Sequence, residues 1–154
     1  MTAPSHTPPL AFDSVDDVAD ALRRAGGRLT TSRRLVLEAL FAARQPITAE
    51  QIANGFGRHA IPSDLASVYR NLERLEELGV VSHVHAGHGP GRYALAEQQG
   101  IEYLACDRCG KLTPVPAQRL DAVREQIREQ LGHHARFSHF PLHGFCASCA
   151  RRMR

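Results

Sequence analysis

Apolar residues recur at helical spacing through the first half of the chain. Val15, Val18, Ala19 and Leu22 follow Ser14, which can serve as N-cap, and Gly26-Gly27 stops the run. Thr30 and Thr31 can cap a second helix, whose Val36, Leu37, Leu40 and Phe41 form one apolar face before Pro46. Thr48-Ala49-Glu50-Gln51 has the form of a capping box and predicts a short third helix from Ile52 to about Phe56. Pro62-Ser63 opens a fourth, with Leu65, Val68, Leu72 and Leu75 on one face, Ser67, Arg70, Asn71 and Arg74 on the other, and a stop at Gly79. From Val80 to His85 the period falls to two. Arg92 to Leu95 is extended again, and the glycine-rich stretch between them predicts a hairpin.

Helices closing on a two-stranded ribbon give the winged helix-turn-helix pattern, in which a polar-faced helix enters the DNA major groove. The competing reading is a small helical domain whose charged face is merely solvated. Residues 96–100 are short and polar and read as a hinge. Beyond them, Ile101 to Ala105 and Leu112 to Val115 read as strands, and Pro116 starts a helix with an apolar stripe at Leu120, Val123, Ile127 and Leu131, closed by Gly132. Phe137 to Leu142 is strand-like. The expectation is an α+β chain with a flexible arm (1–13), a winged-helix domain (14–95), a hinge (96–100) and a small α/β domain (101–154).

The net charge of +3 over 154 residues is too small for bulk electrostatics to announce a polyanion, so a nucleic-acid footprint has to be local. Lys111 is the lone lysine, and arginine's rigid fork suits phosphate or guanine. No stretch approaches the roughly 18 apolar residues of a membrane helix, and Met1 to Pro9 lacks a secretory signal, so a cytoplasmic protein without membrane contact is expected. No Ser/His/Asp set, phosphate loop or open-site zinc pattern stands out, which argues against an enzyme.

The four cysteines form two pairs, Cys106-x-x-Cys109 and Cys146-x-x-Cys149. Each pair can place two thiolates about 2.3 Å from one Zn2+, and two pairs complete a closed, structural tetrahedron. The 36 residues between the pairs house the second domain's strand and helix, so the metal staples its ends together. Redox-active thiols and unliganded thiols are the alternatives, although neither pair has a thioredoxin-like setting.

With Cys106-Asp107-Arg108-Cys109-Gly110-Lys111, His143-Gly144-Phe145-Cys146-Ala147-Ser148-Cys149, Ala25-Gly26-Gly27-Arg28-Leu29-Thr30 and Ser67-Val68-Tyr69-Arg70-Asn71-Leu72, the chain resembles the ferric uptake regulator (Fur) family over nearly its whole length. The resemblance implies a homodimeric, metal-dependent repressor that dimerises through its second domain and grips a palindromic operator on double-stranded DNA, with a zinc-sensing (Zur-like) member one possibility. It also implies Tyr69 and Arg70 as the groove-facing pair and Arg28 as the minor-groove residue. The helical face adds Ser67, Asn71 and Arg74, and Arg33 stands where it could meet phosphate.

The chain departs from the family at the sensing site. The histidine-rich cluster before the first cysteine pair reads Gly100-Ile101-Glu102-Tyr103, and positions where the family often has an acidic ligand and a histidine are Ala94 and Pro46. His83 and His85 alternate along one strand and share a face, with His88 three residues on. Together with Glu102 and His139 they are the candidate sensing ligands for a second divalent metal, Zn2+ or Fe2+. Contact with DNA phosphate and plain solvent exposure are the other readings of the wing histidines. A peroxide-sensing regulator of the same fold, and a metal-independent DNA-binding dimer with only the structural zinc, are the alternative functions.

Overall fold

The computed structural model describes residues 11–43, 45–57, 61–97, 100–137 and 140–153. Local capping chemistry sets the helix starts. The Ser14 hydroxyl accepts from the Asp17 N–H at the head of α1 (Val15–Arg24), and Thr30 accepts from Arg33 at the head of α2 (Thr31–Ala42). Both halves of the Thr48/Gln51 capping box are formed on α3 (Ala49–Ala53), which ends three residues before the expected Phe56. The N-cap of α4 (Leu65–Glu77) is Asp64 rather than Pro62-Ser63. Leu65 is consequently 38% exposed and outside the core, whereas Val68, Leu72 and Leu75 are buried as their spacing requires.

The wing has three strands, not two. β2 (Val81–Val84) and β3 (Arg92–Leu95) pair antiparallel with His83 opposite Tyr93, and β1 (Ile47–Thr48) pairs with the other edge of β3. Two residues are too few to show alternation, so β1 leaves no period in the sequence. Leu22, Leu37, Ile47, Leu72, Leu75 and their neighbours make one apolar core, drawn wholly from residues before 96.

The fourth helix is fixed to the second by a polar clamp. Arg33 Nε donates to Asn71 Oδ1 at 3.1 Å, Arg33 Nη1 donates to the Arg28 carbonyl at 2.8 Å, and Asn71 Nδ2 donates to the Ser67 carbonyl at 2.9 Å and to Ser32 Oγ at 3.4 Å. This corrects the expectation that Asn71 belongs to the outward face of α4. It is 7% exposed, because it lies three residues from Val68 and four from Leu75, on the core side.

In the second half, β4 (Ile101–Cys106) pairs antiparallel with β5 (Leu112–Pro116) and parallel with β6 (Leu142–Gly144). The helix expected from Pro116 begins as a 3-10 turn (Ala117–Leu120) and becomes α5 (Asp121–Leu131), ended by Gly132 at φ 63 as a left-handed cap. Of the expected strand over 137–142, residues 138 and 139 lie outside the described residues, and among the others only Leu142 is in a strand, β6; a five-residue helix α6 (Ala147–Arg151) carries the last cysteine. No residue of α5 is buried in the single chain, and Val123 and Leu131 on its apolar stripe are 39% and 75% exposed. What ties α5 to the sheet is Arg124. It pairs with the buried Glu102 and with Asp121 at 2.6 Å, donates to the Ala117 carbonyl at 2.9 Å, and lies over the Phe137 ring. Among the described residues no helix is long and apolar enough to cross a membrane.

Removing one member of a buried ion pair or of a satisfied polar clamp strands its partner. Arg124→Ala is expected to lower stability by about 3–5 kcal/mol, and Asn71→Ala by about 1–3 kcal/mol. Urea unfolding checks both, and an exposed control such as Arg23→Ala is expected to change little.

Candidate metal centre and nucleic-acid interface

β4 runs directly into the first cysteine turn and β6 into the second, so the parallel β4/β6 pairing brings the two turns together. Backbone bonds lock this approach: the Asp107 N–H donates to the Gly144 carbonyl at 2.9 Å, and the Cys106 N–H to the Lys111 carbonyl at 2.9 Å. The four Sγ atoms all lie within 4.8 Å of one another, and the Cys109 to Cys146 separation is 3.9 Å. Four sulfurs at 2.3 Å from one ion stand roughly 3.8 Å apart, so the cluster fits a tetrahedral zinc site. All four thiols are unpaired by disulfides. The Cys146 N–H, 3.4 Å from Cys106 Sγ, stabilises a thiolate there and holds the Cys106 pKa down, whereas burial pushes Cys149 up. His143 Nδ1 meets Asp107 Oδ1 at 2.7 Å and braces one turn against the other.

The wing histidines do share a face. The His83 and His85 rings are 5.1 Å apart, His83 lies 5.5 Å from the Tyr93 ring, and His83 Nδ1 contacts the Glu76 carboxylate at the end of α4. Gly91 makes room for them: a Cβ there would stand 3.2 Å from His85 Cε1 and 3.7 Å from His83 Cδ2. The His85 ring stacks on Phe140, in the segment leading to β6. His88 is exposed at the hairpin tip, Glu102 is engaged by Arg124, and His139 lies outside the described residues. Among the described residues only the four cysteines converge as three or more ligands. Sequence reasoning missed Glu76, whose signal is its place on α4 one turn beyond Leu72 and seven residues before His83.

The positions where the family's sensing ligands are expected come together without ligands. Pro46, Ala94 and Tyr103 line one cavity of about 480 Å³ between the wing domain and the second sheet. Glu97 also lines it. Burial lifts the Glu97 carboxyl to about 7, and its Oε2 makes no hydrogen bond. Tyr103 is pushed up to about 12 by burial and then by the Glu97 charge.

On the outward side of α4, Tyr69, Arg70 and Arg74 are exposed, as is Arg28, while Ser67 is half-buried. Arg74 pairs with Glu77 at 2.9 Å, and the Tyr69 hydroxyl donates to Glu50 Oε1 at 3.1 Å. Burial and that carboxylate raise the Tyr69 pKa, so its O–H remains a donor. Of the expected DNA contacts, Arg33 and Asn71 form the clamp and the others lie on or beside one accessible face.

Two measurable consequences follow from these ionisations and ligands. A carboxyl whose folded pKa exceeds its unfolded one binds the extra proton only when folded, so stability contributed by Glu97 is present at low pH and is lost as pH rises from 4.5 through about 7. The wild type is therefore expected to lose stability relative to Glu97→Gln across that window, read by urea unfolding at each pH. Elemental analysis is expected to find one zinc per chain, and Cys106→Ser to lose both the zinc and the folded signal of the second sheet.

The Ferric uptake regulator family model matches residues 24–140. The peroxide-responsive repressor PerR of Staphylococcus saprophyticus is 23% identical over 88% of this chain and 90% of its own length. The Vibrio cholerae ferric uptake regulator superposes with a TM-score of 0.58 at 26% identity, covering 84% of this chain and 99% of that one. A zinc uptake regulator complexed with zinc and DNA superposes with a TM-score of 0.56 at 21% identity, over 90% of this chain and 93% of that one. With the four-cysteine cluster closing the second sheet and the family model spanning both halves, the chain belongs to the Ferric uptake regulator family of transcription regulators.

Proposed function

We propose that this chain is a metal-dependent, DNA-binding repressor that acts as a homodimer on a palindromic operator. One Zn2+ sits in the cysteine cluster, and a second divalent ion, Zn2+ or Fe2+, is sensed between the wing and the second domain. The observation that carries the reading is the meeting of these two parts: His83 beside Glu76, His85 beside His83, and His85 against Phe140. Imidazole with carboxylate suits zinc or iron. Glu76, His83 and His85 would hold the ion, joined by His139, while Glu102 remains with Arg124. An ion held across this junction favours the relative placement of the halves in which it fits, and thereby a spacing of the two recognition helices.

Homodimerisation is supported by α5, whose apolar stripe leaves Val123 and Leu131 exposed and Leu120 and Ile127 half-buried among the described residues. DNA binding is supported by the exposed Tyr69, Arg70 and Arg74 on a helix clamped rigidly to its neighbour, with Arg28 reaching an adjacent groove. A structural relative complexed with zinc and DNA agrees with the DNA-binding reading. Likeness to a peroxide-responsive repressor favours a second reading, in which Fe2+ at the wing site makes a ligating histidine the target of peroxide. DNA binding by the iron-loaded protein is then lost on peroxide treatment and that of the zinc-loaded protein is not.

Metal per chain, before and after mild chelation, tests the site. Wild type is expected to hold one retained zinc and one removable ion, and His83→Ala/His85→Ala to hold only the first. Gly91→Ala, which pushes on the same rings, is expected to weaken the removable ion alone. A single zinc in every protein, even with metal added, supports instead a metal-independent DNA-binding dimer. Arg70→Ala is expected to reduce DNA affinity roughly tenfold or more, read by fluorescence anisotropy.

A further inference from the structure

The cavity at Pro46, Ala94 and Tyr103 has a chemistry of its own. Its walls are largely apolar, with Phe41, Leu95 and Leu112 among them, and its polar groups are Glu97, Tyr103 and Gln45. Among the described residues no lysine, arginine or histidine lines it. At about 480 Å³ it lies within the size range of sites that enclose small organic molecules. Glu97 Oε2 is shielded from solvent and has no hydrogen-bond partner, an arrangement that costs free energy until a donor arrives.

The possible occupants differ in how they meet that carboxylate. An anion is repelled by Glu97 and finds no cation among the described lining residues. A bare divalent ion finds one carboxylate, a phenol and an amide among apolar walls, short of the ligand set that zinc or a harder cation requires. A neutral hydrocarbon fills the volume and leaves Glu97 unpaired. An ammonium on an apolar body satisfies both the walls and the charge. We propose that this cavity is a binding site for a small organic amine, its N–H donating to Glu97 and its apolar part packed between Phe41, Leu95 and Leu112.

The site needs neither DNA nor the second metal and stands apart from the metal reading. Its walls come from α2 and β3 on one side and from β4 and β5 on the other, so an occupant bridges the two halves of the chain. A ligand seated there favours whichever placement of the halves it fits best.

Isothermal titration calorimetry on the zinc-loaded full chain at pH 8, where Glu97 is ionised, tests this with phenethylamine, phenylacetate and ethylbenzene as probes. Phenethylamine is expected to saturate one site per chain and to bind at least tenfold more tightly than either of the others. Glu97→Gln is expected to weaken it about tenfold or more, and Ala94→Phe, which fills the cavity, to abolish it, with the thermal transition of each variant checked first. Absence of saturable phenethylamine binding to wild type at millimolar concentration overturns the proposal. So does phenylacetate binding as tightly, a result that needs no variant to fold, and so does phenethylamine binding unchanged by both substitutions.

Discussion

Everything beyond residue 100 depends on four sulfur atoms being held at one point. The first half of the chain buries a continuous apolar core, but in the second half the described buried residues are Glu102, Tyr103, Ala105, Cys106, Pro141 and Cys149. Two of those six are cysteines of the cluster and one is a charge that has to be neutralised. A sheet of three short strands with so little apolar burial is marginal alone, and small units of this kind are commonly completed by a metal. The cysteine turns are where β4 and β6 end, so an ion there converts two strand ends into a closed unit and fixes the start of α6. The Glu102–Arg124 pair then holds α5 against this unit with Val123 and Leu131 of its apolar stripe exposed. Metal, ion pair and partner surface thus do for the second half what side-chain packing does for the first.

This unequal construction separates rigidity from responsiveness. Helix α4 is fixed within its own half by Val68, Leu72 and Leu75 and by the Arg33–Asn71 clamp, so it moves as a unit with the wing. Among the described residues the halves meet at the histidine face against Phe140 and at the cavity around Glu97 and Tyr103. Neither is a large apolar interface, and relative motion of domains joined in this way is the ordinary expectation. A ligand at either junction therefore bears directly on the angle between the halves.

Much of the fold is legible in the sequence because it is written in local chemistry. Ser14, Thr30 and the Thr48/Gln51 box mark helix starts through bonds made within four residues, and Gly132 marks an end through its backbone freedom. The two cysteine pairs are legible for the same reason, since each pair is a single turn. What stayed hidden depends on distant partners. β1 is a strand only because β3 lies beside it, and the five residues of α6 are too few to show a period. Asn71 looks like a groove-facing side chain until its spacing from Val68 and Leu75 is weighed against its polarity. Glu102 looks like a free ligand until Arg124 is placed over it, and Glu76 acquires a role only when the hairpin folds His83 back onto α4. The loss of ligand residues at Pro46 and Ala94 can be read from the sequence, but only the folded chain shows that the vacated positions enclose a cavity with a carboxylate inside.

The most direct test of the central claim is the affinity of the protein for an operator obtained by in-vitro selection, measured by fluorescence anisotropy at fixed salt on two preparations. One holds only the cysteine-bound zinc, and the other holds the second ion as well. The expected result is tighter binding by the two-ion form, with the difference abolished in His83→Ala/His85→Ala. Equal affinities for the two preparations would contradict metal control and leave a DNA-binding dimer whose zinc serves its fold alone.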